Sequence, residues 1–217
     1  FSNSQFNQPI GDWDVSNVND ISYMFNKTPF NQDIGDWNVS SVIDMYGVFM
    51  FNLSFNQPIG SWDVSNVNRM SVMFRETNFN QPIGSWDVSS VNNMNQMFMN
   101  SKFNNDISNW DVSSVTDMNS MFSESIFNQP IGNWDVSNVT DMRMMFRHAN
   151  FNQPIGNWDV SSVTKMSSMF KGDFSWGLFN PFNQDIGDWD VSSVTDMNSM
   201  FAGSNFNQPI GNWDVSN

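Results

Sequence analysis

One phrase, opened nine times, limits this chain more than any other feature. It reads, with small changes, Phe-Asn-Gln-Pro-Ile-Gly-x-Trp-Asp-Val-Ser, and the unit closes on x-x-Met-Phe, with Val48-Phe49 in place of Met-Phe in the one opened by Phe30. Its first residue recurs at Phe6, Phe30, Phe55, Phe79, Phe103, Phe127, Phe151, Phe182 and Phe206. Six of the eight steps are 24 residues, one is 25 and one is 31. A unit of that length cannot enclose its own apolar face, so it must stack on its neighbours. The period predicts one array across residues 1–217, with no linker or composition break to divide it. Both ends fall inside a unit and neither carries a polar cap. The chain is therefore expected to be a window of a longer protein.

Within a unit, two halves differ in pattern. In Ile-Gly-x-Trp-Asp-Val-Ser, Trp and Val stand two apart with a polar residue between them. That is the period of a half-buried strand. Trp13 with Val15, and so on to Trp213 with Val215, form the expected inward set. The Asp after Trp and the variable residue before it point outward. Neighbouring units would pair these strands in one parallel sheet. The second half spaces Val139, Met142, Met145 and Phe146 by three, three and one. That predicts a short amphipathic helix or 3₁₀ turn. The expected fold class is an α/β repeat solenoid, with one short parallel strand and one short helix or 3₁₀ turn per unit.

Charge follows the same division. The net charge is -14. The strand-like half carries 14 of the 22 acids and no base, and the other half carries eight acids and all eight bases. Such a surface repels nucleic acid and anionic lipid, and attracts cations and basic partners. There is no cysteine, hence no disulfide framework. No apolar run is long enough to span a bilayer, and no signal peptide is present.

The pattern Ile-x-x-Trp-x-Val-x-x-Val-x-x-Met-x-x-Met-Phe resembles the leucine-rich repeat. More specifically, the phrase Phe-Asn-Gln-Pro-Ile-Gly-Asn-Trp-Asp-Val-Ser-Asn-Val-Thr-Asp-Met at Phe127–Met142 resembles the BspA-like bacterial surface-protein repeat, DUF285, also called the Mycoplasma-type lipoprotein repeat. The resemblance covers essentially the whole chain. It implies a leucine-rich-repeat-like right-handed solenoid at the cell surface, in adhesins or lipoproteins, with no catalytic residue. The chain departs from a plain leucine-rich repeat in two ways. It lacks the buried Asn ladder position, and it uses Trp, Met and Phe for Leu, which leaves the curvature open.

Two places could carry recognition. The first is the Asp column of Asp14, Asp63, Asp87, Asp111, Asp135, Asp159, Asp190 and Asp214, with Asn38 as the exception. On adjacent strands the carboxylates would repel by about 3 kcal/mol per pair at an effective dielectric of 20. Each Asp must then either accept local hydrogen bonds in an Asx-type turn at Asp-Val-Ser, or join a column that binds Ca²⁺ or a basic ligand. Beside it, the residue before Trp changes freely from unit to unit: Asp12, Asp36, Ser61, Ser85, Asn109, Asn133, Asn157, Asp188 and Asn212. The second place is the seven-residue insertion around 171–181, which adds Phe174, Trp176, Leu178 and Phe179. It reads as a contact loop for another protein or a sugar, or as a loop folded over a neighbouring unit.

The remaining features are bland. Fourteen of the 17 Met residues lie at the two Met positions of the unit and read as core beside Trp and Phe. The single histidine, His148, leaves no Ser-His-Asp or Cys-His set to build. Asn26, Asn38, Asn52 and Asn138 each head an Asn-x-Ser/Thr sequon, which chance supplies in so Asn- and Ser-rich a chain. The expected function is a non-catalytic surface scaffold. It would recognise a protein or glycan on another cell or matrix through the acidic face and the aromatic loop. It has no required cofactor, Ca²⁺ being the one candidate, and it inserts into no membrane. The alternative is a structural element whose partner is itself, as a filament, fibre or surface layer.

Overall fold

The computed structural model describes residues 1–173 and 179–216. Units are numbered 1 to 9 from their opening Phe, unit 1 at Phe6 and unit 9 at Phe206. Each unit lies on the next, and one core of buried side chains runs continuously from Ile10 to Met200. Its centre is a double column of phenylalanines. The closing Phe of each unit stacks on the opening Phe of the next, as Phe122 does on Phe127 at 4.1 Å between ring centroids. Between units the closing Phe rings repeat at 5.6–5.8 Å, as from Phe98 to Phe122. Trp rings form a parallel column, 6.5 Å apart from Trp62 through Trp86 and Trp110 to Trp134. Met118, Met121, Met142 and Met145 are fully buried among them. The methionines are core, as their spacing implied.

The expected strand and helix are both absent among the described residues, which corrects the α/β reading. The Trp-x-Val half is built of turns. Trp134 N–H donates to Ile131 O and Val139 N–H to Val136 O, each three residues back. Among the described residues, no run of this half pairs with its neighbour as a strand. Trp and Val still face inward, but as corners of turns. The parallel contacts lie in the other half, the one that reads as helical. They are isolated bridges, Asp117↔Asp141 and Asp141↔Lys165 among them.

Around those bridges the amides alternate in purpose. Met118, Ser120, Phe122 and Glu124 donate to Asp141, Arg143, Met145 and Arg147 of the following unit. The residues between them, Met121 and Ser123, donate three back, to Met118 and Ser120. A helix would satisfy every amide four residues back and leave none for a neighbour. Here half of them hold the next unit instead. The backbone reaches this geometry by turning left-handed at two places four residues apart, at Ser120 (φ 56°) and Glu124 (φ 59°) in one unit, at Met144 (φ 56°) and His148 (φ 54°) in the next, and at the equivalent places of most other units. A turn whose third residue has positive φ belongs to the type II class. Val72 takes the same conformation at φ 53°, unusual for a β-branched residue. Gly47 and Gly203 meet the requirement without strain.

A surface ladder joins the units on another side. Each Asn after the opening Phe accepts, at Oδ1, the backbone N–H of the Asn in the following unit. Asn152 N donates to Asn128 Oδ1 at 2.9 Å, and Asn128 N to Asn104 Oδ1 at 2.9 Å. The ladder runs unbroken from Asn7 to Asn207. So the chain does possess an asparagine ladder, placed at the exposed edge rather than in the core.

Candidate functional site

An open groove runs along the face that carries the variable residue before Trp. Its floor is the glycine column. A Cβ on Gly132 would lie 2.6 Å from Pro154 O of the next unit, and one on Gly156 2.6 Å from Asp185 O. Backbones approach this closely only where the side chain is a hydrogen. One stretch of about 570 Å³ runs from Ser108 to Asp188. Pro130, Pro154 and Asp185 line one side, and Asn133, Asn157 and Asp188 the other. Shorter stretches follow the same columns at Asp12 and at Asp36 with Ser61. Ser108 stands where other units have Gly, and it closes one end of this stretch. All nine residues before Trp are exposed, as the alternation predicted.

The walls owe their position to the Trp behind them. Each indole Nε1–H donates to the Ile carbonyl of the preceding unit: Trp134 to Ile107 at 3.1 Å and Trp158 to Ile131 at 3.1 Å. This bond is repeated from Trp37 to Trp213. A buried indole N–H needs an acceptor, and the Ile carbonyl supplies it with its second lone pair, the first already taking the turn amide three residues on, as Ile107 O takes Trp110 N–H. Sequence reasoning placed Trp inside and missed this bond. The Trp residue recurring three after an Ile in every unit was the signal.

The Asp column lies beside the groove, and its carboxylates are engaged locally. Asp135 Oδ1 accepts Ser137 N–H at 3.1 Å and Ser137 Oγ–H at 2.6 Å. Asp63, Asp87, Asp111 and Asp159 repeat the pair with their own serines. Asp14, Asp190 and Asp214 accept the serine N–H in the same way. These are Asx turns. The serine hydroxyl and then its amide hold Asp14, Asp63, Asp87, Asp135, Asp190 and Asp214 below the ordinary carboxylate range. Neighbouring carboxylates push the other way, Asp87 on Asp63 and Asp190 on Asp214, and lose. Asn38 keeps the turn without the charge, its Oδ1 accepting Ser40 N–H at 3.2 Å and Oγ–H at 2.7 Å.

A second charged column coincides with the bridges: Asp20, Asp44, Arg69, Asn93, Asp117, Asp141, Lys165 and Asp196. Here bases offset acids. Arg69 pairs with Asp44 at 2.6 Å and lies over the Tyr46 ring. Burial raises the Asp141 carboxyl, and the hydrogen bonds and charge of Arg143, with Lys165 behind, bring it below its ordinary value. Among the described residues, no group of three or more His, Asp or Glu is placed to hold a metal ion.

His148 sits in the left-handed turn of unit 6, with its Nε2 buried and unpaired. Burial, and then the charge of Arg147, lower its affinity for a proton. In the insertion, Phe179 is half exposed. Phe174, Trp176 and Leu178 lie outside the described residues.

The family described as "Mycoplasma protein of unknown function, DUF285" matches residues 1–102, 76–176 and 178–217. The chain belongs to the DUF285 family. No curated protein and no solved structure matches it. In this DUF285 chain, what is constant from unit to unit is the hydrogen-bonded frame just described: the Phe pair, the Asn ladder, the Trp-to-Ile bond and the Asx turn. What changes is the groove wall before Trp and the turn residues around the bridges. No helix is long and apolar enough to cross a membrane, among the described residues.

Proposed function

We propose that the chain is a non-catalytic recognition scaffold of a cell surface, an elongated solenoid that receives its ligand along the glycine-floored groove. The observation that supports this reading is the groove of about 570 Å³, with Asn133, Asn157 and Asp188 along one wall. Amides, carboxylates and exposed prolines beside an open channel suit an extended glycan or a basic protein segment. The Asp column adds negative potential along the same side, which favours a cationic ligand and speeds its encounter. Calcium could meet this column only at single carboxylates, since among the described residues no three acids are grouped to hold a metal ion.

The test is binding to a panel of oligosaccharides and basic matrix proteins, with calcium and with a chelator, using protein from a host that adds no glycans. Paired Asn157→Arg and Asp188→Arg changes in the groove should abolish the signal while leaving tryptophan emission unchanged. The triple change Asp87→Asn, Asp111→Asn and Asp135→Asn should weaken it, and its fold should survive because Asn38 already supports the same turn. Unchanged binding in the groove variant sinks the proposal.

Self-association is the second reading. Large apolar side chains are exposed on the terminal units, Trp13 at 47% and Val215 at 66%. Met197, Phe201, Ile210 and Trp213 join Val215 in an apolar hollow. Light scattering decides it: growth into long assemblies would favour a structural element, and a constant monomer mass would exclude one.

A further inference from the structure

Four sequons occur in the chain, at Asn26, Asn38, Asn52 and Asn138. The fold treats them very differently. Asn52 is fully buried, its Nδ2 donating to Phe30 O at 3.0 Å and its Oδ1 accepting Ser54 N–H and Phe55 N–H. Asn26 is buried too, with Nδ2 on Ser2 Oγ at 3.0 Å, and its sequon hydroxyl, Thr28 Oγ1, donates to Phe25 O. A glycan on either nitrogen would have to displace core. Asn138 is exposed, but its Nδ2 bridges back to Ser113 O at 2.8 Å and Thr140 Oγ1 donates to Thr116 O. Both reactive groups of that sequon hold units together.

Asn38 is the exception. Its side chain is exposed, and among the described residues nothing accepts from its Nδ2. Its sequon hydroxyl is not diverted: Ser40 Oγ–H donates to Asn38 Oδ1 at 2.7 Å, with Ser40 N–H on the same oxygen at 3.2 Å. The amide oxygen is held inward by the turn, and the nitrogen is directed to solvent. The site exists because this one member of the Asp column is Asn. Every other member heads Asp-Val-Ser in the same turn, and lacks only the nitrogen.

We propose that Asn38 is the N-glycosylation acceptor of this chain, modified by a polyprenyl-pyrophosphate-linked oligosaccharide. Asn38 Nδ2 attacks the anomeric carbon. The Nδ2–carbon bond forms as the bond from that carbon to the pyrophosphate oxygen breaks. The amide releases one proton, and the lipid pyrophosphate leaves with the bonding pair. The glycan stands at the outer corner of unit 2, where no unit-to-unit bond is disturbed. The inference rests on the surface location proposed above. The ligand test uses unglycosylated protein, so its failure and this one are separable.

The experiment is translation of the full chain behind a secretory leader in the presence of microsomes. Glycosidase-sensitive mass shifts are read on the protease-resistant, folded product, and the acceptor is mapped by peptide mass. One glycan at Asn38 is expected, and its loss in Asn38→Gln. Asp135→Asn, which completes a sequon in the same turn, should add a second. A folded product without a glycan at Asn38 overturns the proposal, as does occupancy of Asn138 equal to that of Asn38. Failure of Asp135→Asn to gain a glycan overturns the claim that the turn presents the acceptor.

Discussion

A side-chain oxygen that accepts from the next unit does structural work no core residue can replace. Asn128 Oδ1 takes the amide of Asn152 at 2.9 Å and the Gln153 side chain at 3.3 Å. Asn128→Ala strands that amide, and is expected to cost about 1–3 kcal/mol by denaturant unfolding. Asn128→Asp retains an acceptor and should cost less than half as much. Protonation acts at the same scale. The Ser-bonded aspartates have folded pKa values below the ordinary 3.8. The unfolded chain therefore binds their protons first, and their stabilisation is lost as pH falls through and below that value. His148 is also lowered, from 6.5. For a base the unfolded state again takes the proton first, so this contribution disappears as pH drops below the ordinary histidine range. A thermal midpoint followed against pH should decline in two steps, and His148→Asn, which tolerates the left-handed turn, should erase only the upper one.

At the scale of the element, the question is why a helical spacing folded as turns. The apolar residues Val139, Met142, Met145 and Phe146 are all buried, so the inward set was legible. So were the inward Trp and Val, the outward Asp and the Asx turn. The period of about three suits a helix and a chain of three-back turns equally, and periodicity alone cannot separate them. The discriminating feature is a pair of left-handed residues four apart in most units, and glycine or asparagine at each would have announced it. Gly47, Asn100 and Gly203 do stand at such positions, but most of the others hold types that carry no such signal, Ser120, Met144, Ser168 and Val72 among them. Unit-to-unit hydrogen bonding imposes the conformation, and that information is not local. Ser168, at φ 57°, gives the check. Ser168→Ile should destabilise by about 1–2 kcal/mol and Ser168→Gly should not, opposite to the order expected if this segment were a helix. The groove was half legible: its variable wall stood out, whereas its floor depends on how near neighbouring backbones come.

For the whole molecule, stability is a sum of neighbour contacts, and the phenylalanine column is the largest of them. Phe146 stacks on Phe122 at 5.8 Å, Phe151 at 4.1 Å and Phe170 at 5.7 Å. Phe146→Ala is expected to cost about 3–5 kcal/mol. Hydrogen exchange should then divide the array, with protection lost in units 5 to 7 and retained in units 2 to 4. Removal of residues 103–126 rejoins equivalent surfaces and should leave a shorter folded chain with the same spectrum. The direction of the bonds between units bears on length as well. Met118, Ser120, Phe122 and Glu124 point their amides forward along the axis, while Thr140 N, Asn128 N and Trp134 Nε1 point theirs back. In an α-helix all peptide dipoles align, and partial charge gathers at the two ends. Here four amides point one way and three donors the other within a unit, so their dipoles partly offset. The stack has a clear direction in sequence and a weaker one in electric polarity, so each added unit raises the voltage between its ends by less than a helix of aligned peptides would.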